Sequence, residues 1–303
     1  MSASTEHWRV WGQHLAVAAV YAAVYRVAYQ LSISHWELTV GLRLGCLLLV
    51  PMRLWPALAL GELLPVFESA LLCMESFGLA WLLAASVPQI VICMAAMKPL
   101  RLWGSVRAPD GQVRIGYVLT AALCCALLSA LRDTASLWVA LMSSSPDGGV
   151  SATLATGFST YLFGGYLGGL TVVPAMLAVQ DQMGKLPTFG ALWRSSLFRD
   201  SCLWLIPVLA MLVWQANNSE VSDVRQLARL AMMLPMAVMA WRYRWHGTAI
   251  AGSAASVALA LTSHAVRDPA VMYCQVALAL AISAGLIMGG KASLAAHAVL
   301  QKS

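Results

Sequence analysis

Residues 41–62 read GLRLGCLLLVPMRLWPALALGE and determine how this part of the chain can fold. Two apolar runs flank a segment that contains Pro51 and Arg53, a pattern typical of two helices joined by a tight turn. Both runs are apolar enough for lipid, yet the first carries Arg43 and the second ends on Glu62. Charges at such depth are costly and usually face a partner or a water-filled cavity. The stretch therefore predicts a membrane hairpin with one charge on each arm.

The two charges lie at matching depth on the two arms. Arg43 precedes Arg53 by ten residues, and Glu62 follows it by nine. At the helical rise of about 1.5 Å per residue, both lie roughly 14 Å from the turn. A tight hairpin would place them side by side. The same arithmetic matches Arg26 in the first apolar run with Glu68, further from the turn, so the sequence predicts a ladder of two ion pairs.

Arg132 and Asp133 lie near the outer end of a long apolar run and complete the candidate set for ligand binding or switching. Arg132 is expected to extend to the interface and Asp133 to outer water. Two interpretations of the charged residues stay open. The pairs can fix helix register inside a bundle, or part of the ladder can bind a ligand or sense protons.

The whole chain has the composition of a polytopic membrane protein. Of its 303 residues, 60% are hydrophobic and 11% are charged, and its mean hydropathy is +0.74, whereas soluble proteins are about 25% charged. Runs of about 20 apolar residues mark membrane spans. They predict an all-α transmembrane bundle of 8–10 spans, one integral membrane domain over 1–303 with no soluble domain. The ten candidate spans are 12–33, 37–52, 54–75, 78–98, 115–141, 153–178, 200–216, 227–243, 248–264 and 272–290.

The basic residues orient the spans. With the N-terminus inside, the Lys and Arg excess falls in inner loops, and only Arg225, Arg229 and Arg267 fall outside. This bias predicts ten spans with both termini in the cytoplasm. The inner segment 181–199 mixes aromatic and basic residues, which fits either a short helix on the headgroups or a plain connecting loop.

Several functional classes find no support in the sequence. The seven cysteines form no CxxC pair, and no Cys or His spacing suits a metal ion, so neither metal nor cofactor is expected. The net charge of +6 is spread over short loops, which argues against nucleic acid as a partner and leaves the lipid bilayer as the expected environment.

The predicted sixth helix is rich in glycine. Gly164 with Gly168, and Gly165 with Gly169, form two interleaved pairs of small residues four apart. Such pairs let another helix backbone approach closely. Packing inside the bundle is the simpler interpretation, and a homodimer through this helix is the alternative.

Two motifs resemble the membrane-associated sensor domain family, first type. The resemblance is best over 35–180 and rests on Arg53, Trp55, Pro56 and Gly61, then about 100 residues later on Gly164, Gly165, Gly168 and Pro174. It implies a non-catalytic sensory domain in the bacterial inner membrane. It also implies a histidine kinase or a cyclic-di-GMP enzyme as the output, in trans or in a longer parent chain.

The sequence thus favours a membrane sensory module that detects an unknown cue. A small-solute transporter that uses the buried Arg/Glu pairs is the alternative, although no inverted repeat is evident. An intramembrane enzyme is disfavoured, because only the Arg/Glu tiers offer a polar cluster at one depth.

Overall fold

The structure, a computed structural model, describes residues 3–32, 36–144, 150–185, 195–263 and 269–300, and their regular secondary structure is helical. Within these ranges the β-structure is limited to isolated bridges such as that between Arg107 and Val113. The predicted all-α class is therefore confirmed.

The helices follow the apolar runs. The first are α1 (Ala3–Leu31), α2 (Leu38–Leu49), α3 (Trp55–Leu72), α4 (Met74–Ala85), α5 (Gln89–Trp103), α6 (Ile115–Ser144) and α7 (Val150–Lys185). They are followed by α8 (Ser196–Asp200), α9 (Ile206–Asn218), α10 (Ser222–Ala231), α11 (Met233–Ala260) and α12 (Pro269–Leu300). A 3₁₀ turn, Met52–Leu54, precedes α3, and a π-helical turn, Ser201–Leu205, joins α8 to α9.

Six helical stretches within the described ranges are long and apolar enough to cross a membrane. They are Met52–Leu72, Met74–Trp103, Ile115–Met142, Thr153–Met183, Ser196–Asn218 and Ala270–Lys291, and Leu38–Leu49 is a shorter apolar helix. A multi-pass membrane protein is thereby supported. The count of about ten spans and the cytoplasmic termini are not confirmed and stay predictions.

The fourth predicted span, 78–98, is not one continuous helix. α4 ends at Ala85 and α5 begins at Gln89, with Pro88 as the residue before its first turn. Proline restrains the residue before it to extended conformations, so the helix is interrupted between the two. The span itself is supported, because Met74–Trp103 as a whole is long and apolar enough to cross a membrane. The apolar run does not reveal the break inside it.

The eighth and ninth predicted spans, 227–243 and 248–264, correspond to α10 and the two arms of α11. The arms meet at Arg244, whose φ of 56° lies in the left-handed region. Arg229, which the charge bias places on the outer side, is buried in α10, and its Nη2 donates to the Thr262 carbonyl (2.7 Å). The middle of the predicted interfacial segment, 186–194, lies outside the described residues.

The chain packs as two compact units. The first contains residues 1–104 and 121–166, and the second contains residues 105–120 and 167–303. All six candidate switch residues belong to the first unit. The expectation of one integral membrane domain stays a prediction.

The first unit is built on the close contact of α1 with α3. A Cβ added at Gly61 would lie 2.5 Å from the Ala18 carbonyl oxygen, so only glycine permits this approach. α2 buries a face that includes Val40, Leu44 and Leu47. Arg43 shares this face by helical spacing, which directs a guanidinium into the interior of the unit.

In the second unit, α11 packs against α12. A Cβ added at Gly252 would come within 2.9 Å of the Ile282 side chain, and Ile282 is fully buried. Small residues on α11 thus allow its second arm to lie close to α12.

Candidate functional site

The predicted pair of Arg43 and Glu62 forms a buried ion pair. Arg43 Nε lies 3.0 Å from both carboxylate oxygens of Glu62, and the side chains are 2% and 0% exposed. The hairpin of α2 and α3 brings these charges together as the depth arithmetic predicted. Each neutralises the other, since a lone charge at this burial would be strongly unfavourable.

Glu62 also receives two hydrogen bonds from other helices. The Tyr21 hydroxyl on α1 donates to Oε2 at 2.9 Å, and the Ile90 backbone N–H donates to Oε1 at 3.0 Å. Ile90 is the second residue of α5, so the carboxylate satisfies an N–H of its first turn, where the helix dipole is positive. One carboxylate therefore joins α1, α2, α3 and α5.

Arg43 is held on its other side by Tyr25. Nη2 donates to the Tyr25 hydroxyl at 3.0 Å, and Cζ lies 5.5 Å from the ring centroid, a cation–π distance. Nη1 is buried and has no hydrogen-bond partner within the described part of the chain. The guanidinium therefore retains an unused donor.

The second predicted tier is also present. Arg26 donates to both carboxylate oxygens of Glu68, with Nη2 3.0 Å from Oε1. Their side chains are 42% and 54% exposed, in contrast to the inner pair. The predicted ladder is confirmed as geometry, with one buried and one exposed rung.

Arg132 and Asp133 form a further ion pair. Their side chains pair at 3.0 Å and are only 16% and 15% exposed. Arg132 Nη2 donates to the carbonyl oxygens of Ala85 and Val87 at the end of α4. These contacts supply a donor to carbonyl groups that the interrupted helix leaves without one, and the extension of Arg132 to the interface stays a prediction.

Gln89 connects this cluster with the inner ion pair. Its Nε2 donates to Asp133 Oδ1, and its backbone precedes the Ile90 N–H that binds Glu62. Gln89 is 5% exposed, and its Oε1 has no hydrogen-bond partner among the described residues. The start of α5 therefore lies between the two charged groups.

These residues surround a cavity of about 760 Å³ in the first unit. Its polar lining includes Arg26, Glu37, Arg43, Gln89, Arg132, Asp133 and Ser136, and its aromatic lining is Tyr25, Tyr29, Phe77, Trp81 and Tyr161. The size falls in the range of small-molecule sites.

Five polar atoms of the lining are buried and lack a hydrogen-bond partner within the described ranges. They are the acceptors Glu37 Oε2, Gln89 Oε1 and Asp133 Oδ2 and the donors Arg43 Nη1 and Arg132 Nε. Buried polar groups are almost always satisfied in proteins. Five unsatisfied polar atoms around one cavity are expected where a small molecule or water completes their hydrogen bonds.

The motif residues of α3 build the hairpin that carries this site. Trp55 is 6% exposed and lies under Arg101, whose Cζ is 5.8 Å from the ring centroid. Arg101 Nη1 in turn donates to the carbonyls of Leu47 (2.9 Å) and Val50 (2.7 Å), so it caps the end of α2.

The remaining residues of this motif fix where α3 begins and how it packs. The carbonyl oxygen of Arg53 lies 3.1 Å from His14 Nε2 on α1. Pro56 lies in the first turn of α3, where its missing N–H costs nothing. Gly61 lets α3 contact α1, and this contact places Glu62 beside Tyr21.

The glycine-rich helix, α7, packs inside the chain. Gly164, Gly165 and Gly168 are buried, and a Cβ added at Gly165 would lie 3.3 Å from a Val40 methyl group. The Gly164 carbonyl accepts a hydrogen bond from the Glu37 N–H at 3.1 Å. α7 continues through Pro174 to Lys185. Packing against α2 accounts for Gly165, and the homodimer stays a prediction.

Sequence reasoning missed four residues of this site: Tyr21, Tyr25, Glu37 and Gln89. The spacing of Tyr21, Tyr25 and Tyr29 every four residues on α1, which also carries Arg26, was a usable signal. The dipeptide Pro88-Gln89 also marked a helix start. Within the described residues, no group of three or more His, Cys, Asp or Glu side chains could hold a metal ion.

Comparison with known proteins places the chain in a family. Searches of curated proteins and of solved structures find no match. The MASE1 family model, membrane-associated sensor domain 1, matches residues 13–293, nearly the whole chain. MASE1 domains are membrane-embedded sensory domains that often occur in signalling proteins with kinase or cyclic-di-GMP output domains. The chain therefore belongs to the MASE1 family of membrane sensor domains.

Proposed function

We propose that this chain is a signal-input module of the bacterial inner membrane that detects a small-molecule cue in the cavity of the first unit. The main support for this proposal is the set of buried, unsatisfied polar atoms around that cavity. A protein with a purely structural ion-pair ladder would have no use for unpaired donors and acceptors beside it.

The same residues suggest how binding would change the protein. Glu62 holds the first turn of α5, and Arg132 holds the end of α4. A ligand that bonds to Gln89 or Asp133 would act at the interruption between these two helices. We infer that it shifts the packing of α5 against α2 and α3, and that inner loops transmit the shift to a kinase or cyclic-di-GMP enzyme.

The family match does not favour the transporter alternative. The interruption between α4 and α5 resembles the broken helices of transporters, but its freed N–H and carbonyl groups bond to Glu62 and Arg132. They are thus occupied by the protein itself rather than left for a transported ion. We also infer that the module has no catalytic activity of its own.

Affinity purification of the tagged protein from its native membrane, after chemical crosslinking in cells, tests the proposed output. We expect a histidine kinase, diguanylate cyclase or phosphodiesterase to co-purify, or to appear as further sequence of the same polypeptide. If only unrelated membrane proteins are recovered and proteoliposomes that contain the chain accumulate a solute, the sensory role is contradicted.

A further inference from the structure

The cavity of the first unit has an excess of one carboxylate. Four charged residues of its lining belong to ion pairs: Arg26 with Glu68, Arg43 with Glu62, and Arg132 with Asp133. The fifth, Glu37, has no ion pair with another described residue, and its Oε2 is buried and unsatisfied. The lining therefore holds one carboxyl group that pairs with no arginine of the described chain, and a bound cation would favour its ionised form.

The unsatisfied acceptors match the donors of an ammonium group. Glu37 Oε2, Gln89 Oε1 and Asp133 Oδ2 are three buried acceptors on one cavity. A primary ammonium carries three N–H donors and no acceptor. Glu37 interacts electrostatically with Asp133 as well as with Arg43 and Arg132, so these groups lie in one polar region rather than at separate ends of the cavity.

The remaining lining suits the rest of such a ligand. Phe77 and Trp81 contact each other with ring centroids 5.1 Å apart, and Tyr25 and Tyr29 are stacked at 6.3 Å. These rings offer apolar contact and cation–π attraction to an amine. The unused N–H groups of Arg43 and Arg132 could bind a hydroxyl oxygen of the ligand.

We propose that the cavity binds a small organic monocation, a primary amine with an aromatic or apolar body, through Glu37, Gln89 and Asp133. An anion would add a negative charge beside Glu37, and a zwitterion would bring a carboxylate to a site whose three arginines are already paired. The proposal rests on the proposed sensory role of this cavity and names the chemical class of its cue.

Three probes with one common body test the charge preference. Tyramine, tyrosol and tyrosine share a hydroxyphenylethyl group but are respectively cationic, neutral and zwitterionic near pH 7. Binding to the full chain in lipid nanodiscs is measured by isothermal titration calorimetry. We expect tyramine to bind at least about tenfold more tightly than the other two, as one charge-assisted hydrogen bond predicts.

Matched variants test the assigned residue. Glu37→Gln should weaken tyramine binding about tenfold or more, whereas Glu37→Asp should retain part of it. Glu75→Gln is the control, because Glu75 is an exposed carboxylate on α4 that does not line the cavity. Each variant must elute from size-exclusion chromatography as the wild type does.

Equal affinity for all three probes would overturn the proposal, as would unchanged tyramine affinity in Glu37→Gln. It would also be overturned if neither tyramine nor simple phenylalkylamines bound the folded protein at millimolar concentration. Since calorimetry measures no signalling, amine binding without a co-purifying enzyme would contradict only the proposed output. An enzyme recovered without any amine preference would contradict only the ligand class.

Discussion

The Glu62 carboxylate lies 3.0 Å from the backbone N–H of Ile90, and this contact connects the sequence motif of the first hairpin with the interrupted helix that follows it. Glu62 comes directly after Gly61, the motif residue that lets α3 lie against α1. The same carboxylate binds Arg43 and Tyr21. The motif thus positions an anion at the start of a helix, where it stabilises the positive end of the dipole.

Replacing Gly61 by alanine should weaken the contact of α1 with α3. The new Cβ would lie 2.5 Å from the Ala18 carbonyl oxygen, a backbone atom that cannot move alone. We expect a loss of about 1–3 kcal/mol in unfolding free energy, measured by equilibrium unfolding in mixed micelles of mild detergent and sodium dodecyl sulfate.

Gly12→Ala is the control for this experiment. Gly12 lies on the same helix α1, and its added Cβ would meet no atom within 4 Å. Alanine should be neutral or slightly stabilising there, because it has the higher helix propensity. Equal effects at the two positions would contradict the close packing of α1 on α3.

Cys93 and Cys125 should form a disulfide under mild oxidation. Their sulfur atoms lie 3.1 Å apart, on α5 and α6, and both are free thiols. We expect a membrane-permeant copper–phenanthroline oxidant to link them, as detected by mass spectrometry of the digested protein. Cys125→Ser should abolish the link, and Cys124→Ser should leave it intact. A disulfide between Cys93 and Cys124 instead would mean that α6 is rotated about its own axis, so that Cys124 rather than Cys125 faces α5.

The cytoplasmic C-terminus, predicted from the distribution of Lys and Arg, can be tested with a reporter fused after Ser303. Alkaline phosphatase, which is active only in the periplasm, should be silent there, and green fluorescent protein at the same position should fluoresce. Active phosphatase together with non-fluorescent green fluorescent protein would place the C-terminus in the periplasm. That result would contradict ten spans with both termini in the cytoplasm.

The depth of the ion pairs was predictable because both partners were counted from one turn. Arg43 and Glu62 lie nearly equal numbers of residues from Arg53, and helical rise converts those numbers into height. For the second pair, Arg26 was counted from the start of its own helix near Val10 and Glu68 from Arg53, and the two heights again matched. Such counting requires only that each arm be a regular helix, which α2 and α3 are.

The interruption between α4 and α5 was not predictable in this way. Hydropathy treats the whole of 78–98 as apolar, and Pro88 alone does not decide whether a helix bends or ends. The break determines the environment of Arg132, which turns inward to the carbonyls of Ala85 and Val87. Partners that come from another helix, such as Tyr21 and Tyr25 on α1, could not be assigned from the hairpin alone.

The energetic coupling of Arg43 and Glu62 is the most direct test of the buried ion pair at the centre of this site. Glu62→Gln and Arg43→Gln each leave one buried charge uncompensated, and each should reduce the unfolding free energy by about 3–5 kcal/mol. Unfolding in mixed micelles is measured for the wild type, both single variants and the double variant. We expect the double variant to be more stable than the summed single losses imply, by at least about 1 kcal/mol. Losses that add within about 0.5 kcal/mol would contradict the buried ion pair.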